Sequence, residues 1–199
     1  MEQLTGLVVC GGSSTRMGID KSLISWQGIA QRYFLYQMLE PLCKMVFISC
    51  KKAQSPGIES AYNYIVDNEK YNDIGPMAAL LTAFNKYPGD SFLVLGCDYP
   101  FIKEEDILQS ISKRNENDLA VSFFNKTSGF YEPLLTVYEN KIATTLFENF
   151  NRQEYSLQHI LRTSGAGKVI PVQMNTIKSV DTPEEYLIAV EEMKKYTTS

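Results

Sequence analysis

The sequence predicts an α/β fold: one domain built on a doubly wound, mostly parallel sheet with an antiparallel edge. Three observations carry this. Short apolar runs alternate with amphipathic helical patterns through the first half of the chain, as in right-handed βαβ crossovers. The apolar runs are continuous rather than alternating, as expected of strands covered on both faces. After residue 118 the pattern changes to two strand-like runs flanking a polar turn, which reads as a hairpin or an antiparallel edge. A chain of 199 residues is the size of one domain.

The first strand is Leu4–Cys10, a β-rich run that ends at the breaker pair Gly11-Gly12. Tyr33, Phe34, Gln37, Met38 and Leu42 mark the first helix, and Met45–Ser49 the second strand. Tyr64-Ile65-Val66 is a third strand. Gly75-Pro76 then opens a helix in which Met77, Leu80, Leu81 and Phe84 fall at i, i+3, i+4 and i+7, with proline suited to the first turn. Phe92–Leu95 is the fourth strand, and Ile107, Leu108 and Ile111 mark the helix after it. Leu119–Phe124 and Pro133–Tyr138 flank the turn Asn125–Gly129. Thr182-Pro183-Glu184-Glu185 is a capping box with proline at N1, and Tyr186, Val190 and Met193 continue that helix.

Composition narrows the function classes. Hydrophobic residues make up 44% of the chain and charged residues 21%, a globular balance. The net charge of −4 argues against general binding to nucleic acid or to an anionic membrane. No run approaches the ~20 apolar residues of a membrane helix, and no secretory signal opens the chain, so a cytoplasmic setting is expected. The four cysteines, Cys10, Cys43, Cys50 and Cys97, show no CxxC spacing. Three of them close or follow apolar runs and read as small buried thiols. His159 is the single histidine, which excludes multi-histidine metal or catalytic chemistry, and its setting reads as a helix surface.

Two places offer chemistry. The segment from Gly11 to Lys21 follows the first strand and joins glycines to Arg16 and Lys21. Glycine-rich loops after strands expose backbone N–H groups that cradle phosphate oxygens. Neither the GxxxxGK[ST] nor the GxGxxG pattern is present, so a plain connection with solvated charges is the competing reading. Second, Asp98 stands directly beyond the fourth strand and Asp67 directly beyond the third. The carboxyl ends of parallel strands converge on one edge, where α/β sheets bind ligands. Carboxylates there suit Mg²⁺, which takes one or two of them plus substrate phosphates. The alternatives are a helix cap for Asp98 and an ordinary loop carboxylate for Asp67. Asp181, ahead of the capping box, is either a charge favoured at a helix N-terminus or a second metal ligand. A cation-rich loop facing aspartates and Mg²⁺ is the minimum apparatus for moving a phosphoryl or nucleotidyl group.

These residues resemble the molybdenum cofactor guanylyltransferases, within the nucleotidyltransferases of Rossmann-like, glycosyltransferase-A-like fold. The family signature L-A-G-G-x-S-x-R-M-G-x-D-K is similar to the run from Val9 to Lys21, with Cys10 in place of the alanine. G-P-L-A-G resembles Gly75-Pro76-Met77-Ala78-Ala79, and C-D-x-P-[FY]-[IL] resembles Cys97-Asp98-Tyr99-Pro100-Phe101-Ile102. Glu132-Pro133-Leu134-Leu135-Thr136-Val137-Tyr138 and Ser179-Val180-Asp181-Thr182-Pro183-Glu184-Glu185 resemble two later landmarks, in the family's order. Ala79 departs from the family's second glycine, and Ser49-Cys50 stands where relatives often place an asparagine near the ribose.

The resemblance implies transfer of GMP from GTP to the phosphate of molybdopterin, with release of pyrophosphate and Mg²⁺ as cofactor. It implies a nucleotide-binding half over about residues 1–102 and a cofactor-binding half over about 103–199. Arg16, Lys21 and Asp98 would be catalytic. Val9, Cys10, Gly11, Gly12, Lys21, Asp67, Gly75 and Asp98 would bind the nucleotide. Asp98 would hold the metal, with Asp181 as a helper, and Lys126 and Arg152 are candidates for the cofactor phosphate. Gly11 favours GTP over CTP. A cytidylyltransferase for the same cofactor, a sugar- or alditol-phosphate nucleotidyltransferase and a non-catalytic nucleotide-binding relative remain open alternatives. Partner proteins that make or receive the cofactor are also implied.

Overall fold

The computed structural model describes residues 3–10, 20–115 and 117–197. Gly11, Gly12 and Arg16 therefore lie outside the described residues, as does the rest of the glycine-rich segment up to residue 19. Seven strands form one sheet: β1 (Thr5–Val9), β2 (Met45–Cys50), β3 (Tyr64–Val66), β4 (Phe92–Gly96), β5 (Ala120–Asn125), β6 (Phe130–Tyr138) and β7 (Gly167–Val169), in the order β3-β2-β1-β4-β6-β5-β7. Strands β3, β2, β1 and β4 are mutually parallel. The antiparallel portion lies inside the sheet: β6 runs against both β4 and β5, and β7 continues the sheet parallel to β5.

The helices are α1 (Gln31–Leu39), α2 (Met77–Lys86), α3 (Glu104–Ser112), α4 (Ile142–Asn151), α5 (Leu157–Thr163) and α6 (Pro183–Thr197). Two apolar clusters show why the strands read as unbroken hydrophobic runs. Val8, Ile48, Leu93 and Leu95 pack with Leu35, Tyr36 and Leu39 of α1 and Ile107 of α3. Their strand neighbours Leu7, Val9, Phe47 and Val94 point the other way, onto Leu80, Leu81 and Phe84 of α2 and Ile142 and Leu146 of α4. Successive residues of β1, β2 and β4 feed opposite cores, so these strands have no exposed polar face to alternate with.

The starts of α2 and α6 follow different rules. Pro76 is the cap of α2 rather than its first helical residue. In α6 the reciprocal box is complete: Glu185 N–H donates to Thr182 Oγ1 at 3.2 Å and Thr182 N–H to Glu185 Oε2 at 3.0 Å. A small third cluster of Phe101, Val180 and Ala189, with Trp26 and Tyr186 against it, docks α6.

Strand β6 extends past the end of β4, because Leu95 pairs with Leu135 while β6 begins at Phe130. The outward-facing amide of Tyr131 would be left without a strand partner. Gln158 of α5 supplies one: its Oε1 accepts from Tyr131 N–H at 3.0 Å and its Nε2 donates to Tyr131 O at 2.8 Å. This pins the short helix α5 to the sheet.

Candidate functional site

The carboxyl ends of β1 to β4 converge, and the segment before α6 is stitched to them. Val180 N–H donates to Asp98 O at 2.8 Å, which brings residue 181 beside the end of β4. Asp181 Oδ1 there meets Lys21 Nζ at 2.6 Å, and Asp181 Oδ2 accepts from Ser179 Oγ at 2.8 Å. Three segments far apart in the chain thus meet at one place. Lys21 is presented by a single 3₁₀ turn, Lys21–Leu23, whose cap is Asp20. Asp20 Oδ1 accepts from Ser22 N–H at 2.9 Å, and Asp20 Oδ2 accepts from Gln54 Nε2 at 2.8 Å. The lysine is therefore held by its neighbour's carboxylate rather than by its own flexible stem alone.

Asp98 is not a helix cap, because α3 is capped by Lys103 with Asp106. Its Oδ1 is buried and finds no hydrogen-bond partner among the described residues. Burial, reinforced by the charge of Asp181, pushes its carboxyl up to about 6, while its own backbone N–H and Lys21 oppose the rise. A hard oxygen ligand with one oxygen buried and little opposing charge among the described residues fits a divalent cation. Among the described residues no group of three or more Asp, Glu, His or Cys side chains is arranged to hold a metal. Mg²⁺ at Asp98 would therefore complete its shell with phosphate oxygens and water.

Gly96 makes that placement of Asp98 feasible. A Cβ at residue 96 would lie 2.4 Å from Asp98 Oδ1 and 2.9 Å from Leu134 Cβ. Gly96→Ala is expected to displace the carboxylate and overpack the strand at a cost of about 1–3 kcal/mol. A thermal midpoint lowered by ~3–10 °C, with kcat/KM reduced at least tenfold, is the outcome to measure.

Asp67 continues β3, and its N–H donates to Cys50 O at 2.9 Å. Burial raises its carboxyl, against the hydroxyl of Ser49, which donates to Oδ1, and the charge of Lys51. It lines a cavity of about 470 Å³ with Lys51, Tyr71, Asn72, Gly75 and Ala78. Gly75 takes φ +65° there, a conformation that side-chain-bearing residues rarely adopt. A larger, mainly apolar cavity of about 760 Å³, lined by Trp26, Phe34, Phe101 and Met193, contains none of the expected site residues.

Val9 and Cys10 are buried where β1 ends. Lys126 is exposed just past β5, and Arg152 is exposed just past α4, near Phe150, whose ring packs 5.1 Å from that of Tyr71. His159 is exposed on α5. Two further residues face the site without a sequence signal of their own. Tyr99 Oη donates to Glu132 Oε2 at 2.8 Å. Burial, with Asp98 and Asp181 nearby, pushes the Glu132 carboxyl up to about 7 against that hydrogen bond.

A doubly wound sheet with a lysine–aspartate pair, an under-compensated carboxylate and a polar cavity on its carboxyl edge is the architecture of a nucleotidyltransferase. The chain belongs to the family of the MobA-like NTP transferase domain, which matches residues 6–169. It is 31% identical over 188 residues to the molybdenum cofactor biosynthesis bifunctional protein of Synechocystis sp.; the match takes in 92% of this chain and 52% of that one, so the chain spans about half that relative's length. It is 27% identical over 201 residues to a probable molybdenum cofactor guanylyltransferase of Bacillus cereus, covering 97% of this chain and 98% of the relative. Its fold is similar to the crystal structure of molybdopterin-guanine dinucleotide biosynthesis protein A from Archaeoglobus fulgidus, with a TM-score of 0.78, 18% identity and coverage of 96% and 100% of the two chains. No helix among the described residues is long and apolar enough to cross a membrane.

Proposed function

We propose that this protein transfers GMP from GTP to the phosphate of molybdopterin and releases pyrophosphate, in a Mg²⁺-dependent reaction in the cytoplasm. The observation that carries the reading is the buried oxygen of Asp98, unpartnered among the described residues, beside the Lys21–Asp181 pair, at the edge that also bears the Asp67 cavity. In this reading residues up to about 102 bind the nucleotide and those from about 103 the acceptor, within one domain.

Asp67 faces the nucleoside, and Gly75 lets the backbone approach it. Val9, Cys10, Gly11 and Gly12 line the phosphates, with Arg16 and Lys21 contributing charge. Lys21 exchanges its contact with Asp181 for the triphosphate as substrate enters. Asp98 would hold Mg²⁺, with Asp181 as an outer helper. When bound there, the ion neutralises phosphate charge and aligns the α-phosphorus for in-line attack. No side chain need act as nucleophile or strong base, because the attacking phosphate is already anionic. Lys126 and Arg152 are assigned to the acceptor phosphate.

The test is a panel of GTP, CTP, ATP and UTP with molybdopterin and Mg²⁺, read as pyrophosphate release. Guanine offers an edge that buried polar groups can match, and analogues lacking it are rejected by orders of magnitude. A kcat/KM for GTP at least 100-fold above that for CTP is expected. Equal values, or a preference for CTP, would assign the protein to the cytidylyl reaction, and no release with any nucleotide would remove the enzymatic reading.

A further inference from the structure

Two of the strand ends at the site finish in thiols that touch. Strands β1 and β4 are parallel neighbours with Val9 opposite Gly96, so Cys10 and Cys97 follow side by side. Their sulfurs are 3.4 Å apart, and both residues are free thiols. Each is buried but keeps 6% of its surface, whereas Cys50 at the end of β2 keeps none. Adjacent strands run ~4.8 Å apart, inside the range of about 4.4–6.8 Å that a disulfide requires between Cα atoms. Closing the bond to ~2.05 Å needs the sulfurs to approach by a little over 1 Å.

We propose that Cys10 and Cys97 are a reversible oxidation site, closed by a two-electron thiol oxidant into a cross-strand disulfide that slows nucleotidyl transfer. Two S–H bonds break and one S–S bond forms. The two electrons and two protons go to the oxidant, for example the N=N bond of a diazene, which becomes a hydrazine. A dithiol reductant reverses the step by exchange.

The coupling to the site follows from position. Cys10 is the last residue before the glycine-rich segment, and Cys97 is bonded to Asp98. Around Asp98 there is little slack, since even a methyl at residue 96 would lie 2.4 Å from its Oδ1. Drawing the two sulfurs together therefore shifts the carboxylate or the backbone at Cys10. This consequence rests on the transferase reading above; the cross-link itself does not.

The experiment treats the reduced native protein with diamide, removes the oxidant, unfolds the protein in guanidinium chloride to alkylate the remaining thiols, and digests without reductant. Expected are a peptide joining Cys10 to Cys97, a fall from four alkylatable thiols to two, a rate of pyrophosphate release at least tenfold lower, and recovery with dithiothreitol. Cys10→Ala and Cys97→Ser should show an oxidised-to-reduced activity ratio near one, whatever their own rates. Cys43→Ser and Cys50→Ser should show the same fall as the parent. Four intact thiols in excess diamide, or a different cross-link, would overturn the site. A Cys10–Cys97 link with unchanged activity would overturn the switch. If the reduced protein transfers no nucleotide, the proposed function fails, and the peptide alone decides the oxidation site.

Discussion

Replacing Asp98 by asparagine is expected to remove metal-dependent turnover while making the metal-free protein more stable. The two effects have one origin. Desolvation and the neighbouring charge of Asp181 raise the Asp98 carboxyl from 3.8 to about 6. The folded protein therefore holds a proton that the unfolded chain has already released between those two values. Stability contributed by the neutral form is present below pH ~4 and declines as pH rises through 6, so at neutral pH the ionised group opposes folding. Asparagine removes the charge and with it on the order of 1–3 kcal/mol of that opposition. The metal-free Asp98→Asn protein should melt several degrees above the parent at pH 7.5 and no higher than the parent at pH 4. In Mg²⁺ and GTP the order should reverse, because the parent, which keeps the metal ligand, gains more from ligand binding. Its kcat/KM should fall at least 1,000-fold. Retained turnover, or a melting point lowered at pH 7.5, would show that Asp98 has a structural role instead. For the parent, turnover should decline as pH drops through about 6, since the protonated carboxyl offers no ligand.

Lys21→Ala is expected to divide rate from stability most sharply. The ammonium stands 2.6 Å from Asp181, but the two side chains are 19% and 44% exposed, so the pair contributes within ~1 kcal/mol to folding. A cation that meets charge developing on a phosphate is worth more, about 2.7–4 kcal/mol per contact. The melting point should move by no more than ~3 °C, while kcat/KM falls ~100- to 1,000-fold. Removing Lys21 also removes one of the influences that holds the Asp98 proton off. The residual activity should therefore lose its acid limb at a higher pH than the parent. A rate within threefold of the parent would overturn the role. An unshifted acid limb would show that Lys21 does not reach Asp98 electrostatically.

Much of this arrangement is local information. Continuous apolar runs ended by Gly11, Asp67 or Asp98 name both the buried strands and the edge where polar groups gather. Thr182 to Glu185 specify a helix start through bonds within four residues. The elements between residues 140 and 170 were not legible in the same way. Ile142, Leu146 and Phe150 do carry a helical period in α4, but threonines and asparagines interrupt it. Helix α5 and strand β7 have seven and three residues, too few for any period to emerge. They exist because Gln158 completes the backbone of Tyr131 and because β5 offers an unpaired side to residue 167.

The chain's alternation of runs and turns settles a doubly wound sheet, the strand ends that Asp67 and Asp98 follow, and the cap of the last helix, since each depends on neighbours a few residues away. The partner of Lys21, the buried oxygen of Asp98, the raised carboxyl of Glu132 and the contact of Cys10 with Cys97 belong to the packed molecule. Each joins residues between 33 and 160 positions apart, or measures how far a group has left water. Charge compensation and desolvation are properties of the assembled surroundings, and no local pattern of side chains encodes them.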